Sequence, residues 1–507
     1  MAVTFERRLA SFQSARAGLP PPEPARLARA SSAAAERLAA EVDGELVTTP
    51  AGSFVRLEGR GDVIAVDRER LARLPGQPPP DVPLVCLDTE TTGLATAAGT
   101  LAFLVGLGWW QGAHFRQIQL LLPDHAFEPA LLDELRDHIP AGAWLVTYNG
   151  RTFDWPLLVT RYRMARRDAP IHGGHLDLLP FVRRVFRHRL PDARLKTVER
   201  RILGIHRSED IDGWEIPGRY FDFLRGGPAS PLRDVIRHND DDVRSLALIV
   251  AHLEQHLADP DARASAPAGD LAGLARAFAR DRRLHEALDC LNAAAAATAS
   301  PAGPGSSGPV AYPDPEPVRD PFGRSPLPRV AEDEANDLGW LSPRRRPDFG
   351  GTPLRRGATP WPALASVVAG EPWTDERIAV DRARTLRRLG RNADAEVAWR
   401  SVAQMGGKSG VQAWIEVAKL LEHRLGDPAG ALEASQEGSR LLARLLARLL
   451  APGRALALLD RDLATRTARL RRRIAARVTA PTAGIGRGRP GAGSETGTPV
   501  RGAAAAP

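Results

Sequence analysis

The chain has 507 residues, 43% hydrophobic and 26% charged, which suffices for two or three domains that each bury a core. Its 69 Lys and Arg against 61 Asp and Glu give a formal charge of +8, a balance that favours polyanionic partners. Two cysteines outside any CxxC pattern, Cys86 and Cys290, exclude a disulfide framework and a cysteine zinc site, and no run reaches the roughly twenty apolar residues that cross a bilayer.

Residues 1–80 read as an extension: Ala/Arg-rich helix to about residue 42, broken at GLPPPEPA, then two short strands, GELVTT and SFVRLEG, and the linker PGQPPPDVP. Residues 81–257 read as an α/β domain. LVCLDTETTG is a buried strand ending in a turn, and TLAFLVGLGWW and HFRQIQLLL are two more strands. FEPALLDELRDHI is a helix, AWLVTYNG a fourth strand and DWPLLVTRYRMAR a further helix. This order predicts a mixed sheet flanked by helices. An Ala-rich helix pair is expected over 258–298, and a disordered Pro/Gly-rich linker over 299–360. Helical pattern returns over 361–475, where small residues (Ala395, Ala398, Ala413, Ala418, Ala429, Ala431) interleave with bulky ones as in tetratricopeptide pairs. A mobile basic tail is expected over 476–507. Before it, ARLLARLLAPGRALALLDRDLATRTARLRRRIAARV is an amphipathic cationic helix. It could pack on the bundle, touch nucleic acid or meet a protein partner.

The chemistry concentrates in three places. Asp88 and Glu90 alternate along one strand and so project to the same face. Two like charges on a buried strand need neutralising, and hard divalent cations suit oxygen ligands. A solvated strand edge is the competing reading, opposed by the flanking VCL and the tight TTG turn. Asp154 follows the Asn149-Gly150 turn and stands just before a helix with Pro156 in its first turn, so a simple N-cap role competes there. In HNDDDV, Asp242 shares a helical stripe with Val235, Leu246, Ile249 and Leu253, the face expected to meet the sheet. Asp240 and Asp241 are expected at the solvated end of the helix. His238, one turn before Asp242, reaches the same pocket. Trp109, Trp110 and Tyr148 offer base stacking, with core packing as the alternative. His175 and Asp177 stand between the motifs and read as a structural turn.

DTETTG, NGRTFDWPxL and HNDDDV resemble, in order, the three motifs of DnaQ-like DEDD exonucleases. HLDLLPFVRRVFRHRLPDARLKTVERRILGI and EIPGRYFDFLR resemble the YprB-type ribonuclease H-like proteins, which also carry degenerate tetratricopeptide helices. The resemblance covers about residues 84–257, and more loosely the C-terminal helices. It implies a ribonuclease H-like fold and a 3′-5′ exonuclease that hydrolyses phosphodiester bonds of DNA or RNA with two Mg²⁺ or Mn²⁺ ions on Asp88, Glu90, Asp154 and Asp242. It also implies that His238 orients or deprotonates the attacking water. One departure stands out: His238 and Asp242 are separated as in the tyrosine subclass, whereas the histidine subclass has one residue more. Substrate grip is expected from Arg183, Arg184, Arg187 and Lys196, against the alternative of a solvated helix face. The expected partners are nucleic acid and a protein on the C-terminal helices, with no membrane, in the cytoplasm. The competing functional reading is a catalytically silent scaffold that binds nucleic acid and partners.

Overall fold

The computed structural model describes residues 24–93, 99–207, 210–299, 372–447 and 454–479. Apart from their first positions, which finish helices, the linker expected over 299–360 and the tail expected over 476–507 lie outside these residues. So do residues 1–23.

Helix α1 (Pro24–Val42) leads into β1 (Glu45–Thr49), β2 (Gly52–Glu58), β3 (Asp62–Val63) and the short α2 (Arg68–Leu71). The α/β segment then runs β4 (Leu84–Thr91), β5 (Ala102–Gln111), β6 (His114–Leu121), α3 (Glu128–Asp137), β7 (Trp144–Thr147), α4 (Asp154–Met164), β8 (Gly174–Asp177) and α5 (Leu178–Phe186). After it come α6 (Leu195–Val198), a π-type turn (Glu199–Leu203), α7 (Ile216–Leu224) and the 26-residue α8 (Leu232–Leu257). One sheet holds every strand in the order β1-β2-β6-β5-β4-β7-β8, with β3 also on β6. β4 is central, antiparallel to β5 and parallel to β7, so its LVCL run is buried on both faces. The extension expected over 1–80 thus adds its strands to the sheet, β2 pairing Val55 with Leu121 on β6.

Alternation along β4 separates two cores. Val85 and Leu87 join the cluster beneath α1, α3, α4 and α7, whereas Leu84 and Cys86 join the one beneath α5 and α8. Asp88 and Glu90 therefore continue the α8 face. Glycine makes that helix's approach possible. Gly106 pairs with Asp88 across the ladder, and a Cβ on it would stand 2.3 Å from Asn239 Oδ1 of α8.

The extension also clamps α8. Arg60 reaches Asp240 at 3.1 Å and bonds Asp241, while Arg244 bonds Asp62. Here one expectation is corrected: Asp240 is buried, with Gln117 Nε2 donating to it at 2.5 Å, instead of decorating a solvated helix end. The later half of α8 shares its core with α10 (Ala268–Arg280) and α11 (Leu284–Ala299), which follow the short α9 (Pro260–Arg263).

The C-terminal region is helical: α12 (Pro372–Arg388), α13 (Asn392–Gln404), α14 (Gly407–His423), α15 (Pro428–Leu446) and α16 (Arg454–Thr479). Of the small residues singled out, Ala395, Ala398, Ala413, Ala418 and Ala431 are buried, and Ala429 is exposed. The amphipathic α16 buries Leu463 and Leu470 on this bundle, while Arg466 and Arg469 reach Glu422 of α14 at 3.2 and 2.6 Å. Among the described residues no helix is long and apolar enough to cross a membrane.

Candidate metal centre

The carboxylates converge where β4 ends. Asp88 is fixed by a chain of amides: Gln119 on β6 donates to Asn239 Oδ1 at 2.8 Å, and Asn239 Nδ2 donates to Asp88 Oδ2 at 2.8 Å. Glu90 lies two residues on, its side chain 14% exposed, with His238 Nε2 3.9 Å from its Oε1. Asp154 arrives from the opposite side of the sheet. The turn before it holds Asn149 at φ +70°, a conformation open to asparagine, and the chain then enters α4 at Asp154 itself. Asp154 is not the helix cap: Phe153 holds that position, and the Asp154 carboxylate accepts from Thr89 Oγ1 at 2.5 Å, Thr89 being the β4 residue that faces α4.

Helix α8 supplies the rest. Asp242 Oδ1 accepts from Arg207 Nη2 at 2.5 Å, and its Oδ2 lies 3.8 Å from His238 Nε2. Arg207 also bonds Glu199, a buried acid that accepts from Ser245 Oγ at 2.5 Å. Three residues after Arg207, Asp210 shares a hydrogen bond of 2.6 Å with His238 Nδ1 and stands 3.3 Å from Lys196 Nζ.

The electrostatics follow from burial and from like charge. Burial first, then Asp242 and Asp154, push the Asp88 pKa well above the usual carboxylate range, against the Asn239 hydrogen bond and Arg207. Burial followed by Asp88, Asp242 and Asp154 does the same to Glu90. Asp154 is raised by burial to about 6, with the Thr89 hydrogen bond pulling the other way. Burial works against the charge of Asp210, yet the His238 hydrogen bond and the nearby cations hold its pKa below normal. Arg207 loses water too, but Asp242 and Glu199 raise its pKa and keep it charged.

The five residues singled out from the motifs (Asp88, Glu90, Asp154, His238 and Asp242) thus meet at one end of the sheet. The basic residues do not gather with them as one patch. Arg183 and Arg187 are exposed on and just after α5. Arg184 is half-buried, its pKa lowered by burial and then by Arg280. Lys196 alone is tied to the site, through Asp210. The aromatic residues pack: Trp110 Nε1 donates to Ile64 O at 2.8 Å, Tyr148 Oη to Ala193 O at 2.6 Å, and Trp109 lies against His138. Asp177 caps α5 and accepts from the Asn149 amide at 2.8 Å, while His175 Nε2 is 2.8 Å from Thr147 Oγ1. Sequence reasoning missed Arg207, Asp210, Asn239 and Glu199. Only Asn239 carried a signal, lying one turn before Val243 on the same helical face.

The donor set suits hard divalent ions, being all oxygen, half-buried or buried, and rich in negative charge. As it stands it is not a finished cage. Among the described residues, no group of three or more His, Cys, Asp or Glu side chains is arranged to hold a metal ion. Arg207 instead engages Asp242.

Residues 85–254 match a family model of the RNase_H superfamily. Over 176 residues the chain is 38% identical to "Uncharacterized protein YprB" of Bacillus subtilis (strain 168), an alignment that covers 34% of this chain and 42% of that protein. The chain therefore spans less than half the length of this curated relative. Ribonuclease H-like nucleases ordinarily use divalent metals, and the fold seen here is nuclease-like. With a mixed sheet ordered β6-β5-β4-β7-β8 around a central carboxylate strand, residues 85–254 are a ribonuclease H-like domain of the YprB type.

Proposed function

We propose that this protein is a metal-dependent nuclease that hydrolyses phosphodiester bonds of DNA or RNA as a DEDD-type 3′-5′ exonuclease. Asp88, Glu90, Asp154 and Asp242 are its ligands for two Mg²⁺ or Mn²⁺ ions. The observation that carries this reading is the set of three acids, buried Asp154 and half-buried Asp88 and Glu90, held with raised pKa values beside Asp242. Acids so placed destabilise a fold unless a cation joins them, and they cluster at functional sites for that reason. Bound ions would supply an activated water and stabilise charge on the departing oxygen. The chain's own residues do the remainder. Asn239 and Thr89 hold Asp88 and Asp154 in place. Arg207 donates to Asp242 and holds its carboxylate in place. His238 presents Nε2 to the carboxylates. Exposed Arg183 and Arg187, with Lys196, grip the phosphate backbone, and half-buried Arg184 contributes least. A protein partner on the C-terminal helices and a cytoplasmic location complete the proposal. The location is supported by two cysteines that are both free and buried.

One observation favours a second reading. Arg207 neutralises Asp242 without any ion, which is how a silent fold serving as a nucleic-acid-binding scaffold would satisfy this helix. A cleavage assay separates the two, with end-labelled DNA and RNA oligonucleotides in Mn²⁺, Mg²⁺ or EDTA. The control carries Asp88→Ala and Glu90→Ala together. Metal-dependent shortening that vanishes in the double variant supports the nuclease. Absence of cleavage, with equal nucleic-acid binding by both proteins, sinks it in favour of the scaffold.

A further inference from the structure

Asp210 enters the site from outside all three carboxylate motifs, in the loop between the π-type turn and α7. Its side chain is 6% exposed, and one oxygen lies 2.6 Å from His238 Nδ1, within hydrogen-bond distance. The other oxygen faces Lys196 Nζ at 3.3 Å and Arg207 Nη1 at 3.7 Å, so the carboxylate is tethered from two sides. On the far edge of the imidazole, Nε2 points between Glu90 (3.9 Å) and Asp242 (3.8 Å). A neutral imidazole carries one ring proton. An ionised carboxylate only accepts, so it places that proton on Nδ1 and leaves the lone pair on Nε2.

We infer that Asp210 is the positioning residue for His238, fixing its tautomer and ring plane so that Nε2 takes the proton of the water that attacks the phosphodiester. The destination of that proton rests on the nuclease reading above; the tautomer does not. In the step, a water proton passes to Nε2 while the water oxygen forms the new P–O bond. The P–O3′ bond breaks with its electron pair on O3′, which is reprotonated from solvent, and imidazolium returns its proton to bulk water. No oxidant or further reactant is needed. This pairing also answers the irregular spacing between His238 and Asp242: the histidine is aimed by a carboxylate from another loop, not by its distance along α8.

The experiment uses the full chain labelled with ¹⁵N-histidine at mildly alkaline pH. Long-range ¹⁵N–¹H spectra read the tautomer of His238, assigned by its loss in His238→Gln. The expected result is an Nδ1-protonated ring in the native chain, a mixed or inverted tautomer in Asp210→Asn, and restoration in Asp210→Glu. In Mn²⁺-dependent cleavage, Asp210→Asn should lower kcat about 10²-fold with KM within about twofold, and Asp210→Glu should recover about a tenth or more of the native rate. Added to His238→Gln, Asp210→Asn should cost nothing further, because the two residues act as a unit. An Nε2-protonated native ring, an unchanged tautomer in Asp210→Asn, or an undiminished effect of Asp210→Asn in the His238→Gln background would each overturn the inference. If no variant cleaves any nucleic acid, the nuclease reading falls and takes the water's proton with it. The spectra then still decide whether Asp210 sets His238.

Discussion

Two buried acid sites in this molecule show opposite behaviour. On α14, Glu422 is 2% exposed and ringed by guanidinium groups: Arg469 at 2.6 Å, Arg466 at 3.2 Å and Arg473 at 3.6 Å. Burial pushes its pKa up, yet those arginines win and hold it below the ordinary value. On β4, Asp88 and Glu90 lose water in the same way but face Asp154 and Asp242, and their pKa values climb. Burial raises the acids at both sites; at Glu422 the arginines outweigh it, whereas at β4 the neighbouring acids add to it. An acid that fastens two helices comes supplied with its cations. The β4 acids, which we propose as metal ligands, have fewer cations than acids around them, at a cost to the fold.

The contrast can be broken at either end. The largest effect is expected at β4: Asp88→Ala should reduce Mn²⁺-dependent cleavage by about 10³-fold or more, because several kcal/mol of transition-state stabilisation leave with the ligand. Steady-state rates on a labelled oligonucleotide check this, and a loss under tenfold would remove Asp88 from the ligand set. On α14, Glu422→Ala leaves the buried Arg466 with Asp462 at 3.4 Å as its remaining acid and should destabilise the helical region by roughly 3 kcal/mol in denaturant unfolding, leaving cleavage unchanged.

Acidity sharpens the comparison further. Asp88, Glu90 and Asp154 have raised pKa values, so without metal the folded chain binds more protons than the unfolded one above pH ~4. Their contribution is fully present below the unfolded carboxylate pKa and is lost as pH rises through the folded values, about 6 for Asp154 and well above the ordinary carboxylate range for Asp88 and Glu90. Thermal unfolding in EDTA should therefore show stability falling between pH 5 and pH 8 by on the order of 1–3 kcal/mol. Mn²⁺ should reverse the fall, and Asp88→Asn should flatten it. A flat profile in the native chain would contradict the assignment. The smallest effect is expected at Arg187. Its replacement by Ala should weaken binding of all oligonucleotides alike and reduce the slope of log affinity against log salt by about one. Metal-dependent stabilisation should not change. Filter binding at several salt concentrations measures it.

The central strand and its acids were legible because strand alternation and helical spacing are local rules: Asp88 with Glu90, and Asp242 with Leu246, follow from period alone. Asp154 needed chain order as well, since a cap would look the same. Long-range closure was not legible. Nothing local in the sequence announces that Arg207 reaches Asp242, that Asp210 meets His238, or that Gly106 is bare to admit Asn239. Asp240 was misjudged because the helix-dipole argument presumes solvent, whereas Arg60 from the link between β2 and β3 and Gln117 from β6 enclose it. In the sequence, Arg183, Arg184, Arg187 and Lys196 read together as one grip on the substrate. The turn at Arg187–Arg189 and the contact of α5 with α10 divide them.

The hairpin of β1 and β2 has a practical consequence for anyone preparing this protein. β2 occupies the hydrogen-bonding edge of β6, and Arg60 and Asp62 tie the same segment to α8. A fragment trimmed to the start of the family match at residue 85 would leave β6 as an open edge with apolar Leu120 and Leu121 beside it, a template for intermolecular strand addition. Expression boundaries should therefore start upstream of α1. Insoluble shorter fragments would report a missing edge guard and say nothing about whether the nuclease-like core can fold.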